Sequence, residues 1–165
     1  MHRKVAMRPG VERGAWLALG ALAASLLAAP AGLGAQQLLV TSDQNLQFGL
    51  LTPGVAAAVP ATDPTRRAQL TIEGRGSFSI TFQLPDELIG PGGDAIPLLF
   101  GAADGLLDFK NSLTAFDPAV GTEVRFNPAH TVASIYLGGQ AQPPPGQPVG
   151  TYTATIVMMV VQTGN

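Results

Sequence analysis

Residues 77–85, SFSITFQLP, place Phe78, Ile80, Phe82 and Leu84 in strict alternation with Ser77, Ser79, Thr81 and Gln83. A period of two gathers the apolar side chains on one face of an extended strand and the polar ones on the other, which a helix of 3.6 residues per turn cannot do. Just upstream, AQLTIEG at 68–74 alternates Leu70 and Ile72 against Gln69, Thr71 and Glu73. The short Gly74-Arg75-Gly76 connection between the two runs predicts a hairpin.

Weaker runs follow the same rule. NLQFG at 45–49 puts Leu46 and Phe48 on one face, and residues 54–60 form a strand of small side chains. Further strands are expected at 96–100, 122–126, 132–140 and 151–162. Glycine and proline clusters at 90–93 and 143–148 punctuate them as turns. Helix is confined to a turn or two near 102–113. With 20 glycines and 14 prolines in 165 residues, the pattern predicts an all-β antiparallel sandwich.

The amino terminus is of another kind. Arg3, Lys4, Arg8 and Arg13 precede the uncharged run WLALGALAASLLAA, which ends among small residues. That is the pattern of a cleavable export signal, and the apolar run is shorter than the roughly 20 residues needed to span a bilayer. Cleavage is placed after Ala35, with Ala29 and Ala31 as the other small-residue pair, and translation starts at Met1 or Met7. Residues 1–35 are thus read as signal peptide and 36–165 as one β-sandwich domain, with no membrane segment after cleavage. The destination is the periplasm or cell surface of a bacterium, or the medium.

Without its leader the chain carries five basic against ten acidic side chains, a net charge of −5. Nucleic-acid binding loses its main driving force on such a surface. The absence of cysteine removes disulfides, thiolate metal sites and lipid attachment at the cut site.

No nucleophile elbow, phosphate loop or paired-histidine motif is present, so no catalytic, cofactor-binding or metal-ligating residue is assigned and no cofactor is expected. His130 is read as a solvent-facing loop residue. Asp86 and Glu87 are read as solvated charges that stop the 77–85 strand. Asp94, Asp104, Asp108 and Asp117 lack the alternating order of a calcium loop and are read as surface residues. Tyr136 and Tyr152 fall within expected strands, where a core or tyrosine-corner role is the default.

Five segments together resemble one family. LQFGLLTPG (46–54) is similar to the LxFG…PG opening of the bacterial domain-of-unknown-function 4402 family. RAQLTIEG (67–74), FSITFQLP (78–85), IYLGG (135–139) and GTYTATIVMMV (150–160) follow in its order. The resemblance covers nearly the whole chain beyond the leader. It implies an exported immunoglobulin-like or pilin-like sandwich, distantly similar to spore coat protein U and chaperone-usher pilins. The chain departs from those groups in lacking cysteine and in ending QTGN rather than near an aromatic residue.

The last strand carries one more signal. Residues 156–161, IVMMVV, are apolar at every position, so both faces need cover. Another part of the chain is one source of that cover. A partner is the other, joined by strand addition through Val157, Met159 and Val161, with Leu38 and Val40 in the 36–45 segment as a donor arm. The leading expectation is an exported, non-enzymatic structural or adhesive protein. The alternative is a secreted module that binds carbohydrate or calcium through the loops at 90–93 and 143–148.

Overall fold

Isoleucines with no exposed surface, Ile72, Ile80 and Ile135, come from three strands and meet in one core, so the layers of the fold follow from where their strands lie. A computed structural model describes residues 38–164, in which every ladder is antiparallel and no helix occurs among the described residues. The expected leader at 1–35 lies outside them.

One sheet has five strands, β1 (Leu39–Gln44), β3 (Ala68–Glu73), β10 (Val132–Leu137), β7 (Gly105–Phe109) and β8 (Ser112–Phe116), hydrogen-bonded in that order. A three-stranded sheet runs β12 (Val157–Gly164), β4 (Gly76–Gln83) and β9 (Thr122–Phe126). Ile72, Leu107, Ile135 and Leu137 from the first sheet pack with Phe78, Ile80, Phe82, Val124 and Phe126 from the second, making the sandwich core. A four-stranded sheet, β2 (Ala57–Val59), β11 (Gly139–Ala141), β6 (Ala95–Leu99) and β5 (Glu87–Ile89), carries a smaller cluster of Leu88, Ile96, Leu98 and Ala141.

The alternation at 68–74 and 77–85 forms strands where expected, but the two do not form a hairpin. β3 pairs with β1 and β10, whereas β4 pairs with β12 and β9. Both runs bury one face in the same core, and the Gly74–Gly76 connection carries the chain across from one layer to the other. The spacing marked a tight connection correctly; it did not distinguish a turn within a sheet from a crossing between two.

The suspected helix at 102–113 is a hairpin of β7 and β8. Lys110 and Asn111 form its two-residue turn with φ of 56° and 58°, the doubly left-handed geometry that matches strand twist. Residues 45–49 lie outside any ladder although Leu46 and Phe48 are half-buried and Gln47 is exposed, and the segment before them forms β1 instead. Residues 151–156 are likewise irregular, with β12 beginning only at Val157. Glu87, read as a stop signal, opens β5 opposite Pro97, while Asp86 stays exposed.

The run at 132–140 divides at Gly138, β10 serving one sheet and β11 another. A Cβ at Gly138 would collide with the Val59 carbonyl oxygen and lie 2.6 Å from the Ala61 nitrogen, so only glycine allows the backbones to cross there. The loop from β2 to β3 is tied by Asp63. Its carboxylate accepts the Thr65 hydroxyl at 2.7 Å, the Thr65 N–H at 2.9 Å and Arg66 Nε at 2.8 Å. These bonds, led by the Thr65 hydroxyl, favour the ionised form and hold its pKa well below the usual carboxylate range. The resulting stabilisation is complete above that range and is lost as the pH falls through the lowered value.

Candidate binding cleft

The two extended segments that the ladders leave out, 45–49 and 151–156, face one another across an open cleft of about 840 Å³. Its floor reaches both apolar clusters through Leu70, Phe82, Leu88, Ile96 and Leu137. Leu46, Phe48 and Leu51 line one wall, and Tyr152, Ile156 and Met158 the other.

Each wall is held from behind. The Gln47 N–H donates to the Arg66 carbonyl at 2.8 Å, and Gln44 Nε2 donates to the Arg67 carbonyl at 2.7 Å. On the opposite side Ile89 and Thr153 exchange two main-chain bonds of 2.9 and 3.0 Å. The Gly54 N–H donates to the Pro143 carbonyl at 2.9 Å, joining the loop that follows the first wall to the one that precedes the second.

Tyr152 orders the rim. Its hydroxyl donates to the Pro148 carbonyl at 2.7 Å and accepts Gln147 Nε2 at 2.7 Å. A bond from a tyrosine hydroxyl to main chain four residues upstream is the tyrosine-corner arrangement, here placed just before a strand rather than inside one. The ring lies over Gly90, where a Cβ would come within 2.6 Å of it. The two loops singled out in the sequence therefore meet at Tyr152, and the 143–148 loop contributes Pro143, Gln147 and Pro148 to the lining.

No side chain that lines the cleft carries a formal charge. Its polar groups are amides, hydroxyls and main chain, as at Gln44, Gln47, Gln147, Thr151 and Thr155. Such a surface fits a neutral occupant, because a charged ligand would lose hydration with no opposite charge to compensate. The sequence holds a signal for this that its alternation conceals: no Asp, Glu, Lys or Arg occurs between Asp43 and Asp63, or after Arg125. Those two charge-free stretches supply both walls.

The other singled-out residues do not converge on the cleft. His130 is half-buried rather than solvent-facing, its ring edge-on to Phe109 at 6.1 Å and its N–H bonded to Asn127 Oδ1 at 3.0 Å. Asp104 accepts the Gly101 N–H at 2.6 Å, and Asp117 accepts the Ala119 N–H at 2.9 Å. Asp108 lies 3.4 Å from the Tyr136 hydroxyl, while Asp94 is exposed beside Gly92. Among the described residues no group of three His, Cys, Asp or Glu is placed to hold a metal ion. Tyr136 is buried on the outer face of its sheet with the Arg67 guanidinium 3.4 Å above its ring. A cation stacked this way anchors the β2–β3 loop.

The residues expected at an interface divide between two edge strands. Leu38 is half-buried and packs on the sandwich core, and β1 pairs with β3 of its own chain through Leu39 to Gln44. Val40, opposite Ile72, keeps 41% of its surface exposed. On β12, Met158 and Val160 pack on the core while Val157, Met159 and Val161 remain 43%, 50% and 59% exposed. Thus the described part of the chain leaves the outer apolar row uncovered. No family model and no curated protein matches this sequence.

Proposed function

We propose that this chain is an exported, non-enzymatic structural or adhesive protein of the bacterial periplasm or surface, acting through the main-chain edges of its sandwich. The observation that carries the reading is β12, an edge strand among the described residues, whose outward row Val157, Met159 and Val161 stays exposed. Edge strands are normally protected by charge, proline or shortness. β12 is eight residues long and contains neither a charged residue nor a proline. The uncharged cleft beside its start adds apolar space for side chains of an added strand.

β1 gives less support to a donor arm. Its residues are committed to β3, and cleavage after Ala35 would leave only Gln36, Gln37 and Leu38 ahead of it. Leu38 and Val40 thus belong to an edge that receives a strand rather than to one that is given away. The resemblance to the domain-of-unknown-function 4402 family agrees with the export leader and the sandwich.

Expression of the full chain in a bacterium, followed by cell fractionation and amino-terminal sequencing, tests the reading. A processed protein beginning near Gln36, outside the inner membrane and in associated form, is the expected result. An unprocessed cytosolic monomer would refute it.

The cleft favours one second reading, a secreted module for a neutral ligand. Calcium requires several oxygen ligands, with carboxylates prominent among them, and no carboxylate lines the cleft. A neutral glycan is then the better-matched class. A rise in melting temperature with neutral oligosaccharides and none with millimolar calcium would support it.

A further inference from the structure

We infer that the partner of β12 is β12 of a second copy, paired antiparallel about a two-fold axis at Met159. This deepens the strand-addition reading and rests on it.

In an antiparallel ladder two directly opposed residues lie on the same face. Met158 and Val160 face the core while Val157, Met159 and Val161 face outward. A self-pairing that extends the sheet must therefore set odd positions against odd and even against even, which centres the axis on a residue. An axis at Met158 would set Val161 against Thr155, and one at Val160 would set Val157 against Thr163. Only the axis at Met159 puts the whole exposed row against itself, Val157 against Val161 of the second copy, Met159 against Met159, and Val161 against Val157. The inward residues Met158 and Val160 then also oppose each other.

Three further features agree. The register irregularity between Gln162 and Gly164 lies beyond the five central residues, so it leaves that ladder regular. Outward neighbours on β4 are Ser79, Thr81 and Gln83, opposite Val161, Met159 and Val157. The nearest charged residues across the sheet, Glu123 and Arg125, lie on β9 beyond them. No like charges meet near the axis, and the product is one six-stranded sheet, β9-β4-β12-β12-β4-β9, with an isologous interface.

Light scattering on the mature protein, with edge variants, tests the inference. The wild type is expected at twice the mass of one chain. V157K/V161K sets lysines against lysines and is expected to weaken dimerisation at least about tenfold, while V157K/V161E, which makes two opposite-charge pairs, restores it. All four replaced side chains in the dimer are exposed in the monomer, so thermal melting should show each variant folded. Because the chain has no cysteine, M159C reports the axis directly. It is expected to form a disulfide-linked dimer on mild oxidation, whereas L113C on the far edge of the five-stranded sheet should associate like the wild type but form no cross-link. If the wild type associates but M159C does not cross-link and V157K/V161E stays dissociated, the axis is wrong and strand addition stands. A wild-type monomer at all concentrations, unchanged by V157K/V161K, would overturn both.

Discussion

Strands β4 and β12 lie side by side in one sheet and are both eight residues long. β4 lies between two neighbours and reads apolar, polar, apolar along its length, so its sequence alone says which face is buried. β12 has one neighbour among the described residues and is apolar at five consecutive positions, so its sequence does not. What decides is the register with β4, where Val160 opposes Ile80 and Val161 opposes Ser79. The outward face of β12 is left apolar by composition rather than by geometry, and that surplus is what a partner would use.

The contrast is open to measurement by urea denaturation at concentrations low enough for the monomer. Ile80→Ala empties a site with no exposed surface and is expected to cost about 2–5 kcal/mol. Gly121→Ala comes next. Its Cβ would strike the Ile80 carbonyl oxygen and lie 3.2 Å from Thr81 Cα, at a φ of 91°, so overpacking should cost about 1–3 kcal/mol. Val160→Ala, opposite Ile80 but only half-buried, should cost about 1 kcal/mol. Val161→Thr on the exposed row should stay within about 0.5 kcal/mol. Losses of equal size at Val160 and Val161 would break the distinction between the two faces of β12.

The same contrast explains what could be read from the letters. β3, β4 and β9 were legible because Ile72, Phe78, Ile80, Val124 and Phe126 mark one buried face by period two. β7 and β8 were not, since Lys110-Asn111 makes the turn without the glycine that usually announces it. β1 resembled a free arm because its apolar residues, Leu39 and Val40, are adjacent and then give way to TSDQ. Its place is set by pairing with β3, which is distant in the chain, from Gln44 opposite Gln69 to Leu39 opposite Glu73. The cleft was hidden for a related reason. Its floor collects Leu70, Phe82, Leu88, Ile96 and Leu137 from separate strands, and only the missing charges of its two walls are local in the chain.

Gly138 has a consequence for how the protein comes apart. Because β10 and β11 are consecutive and flank this one residue, the Leu88–Ile96 cluster cannot be released without slack passing into the strand that crosses the centre of the five-stranded sheet. Heating should therefore melt both clusters in a single transition, and slow amide exchange should extend without a step from Ile135 to Ala141.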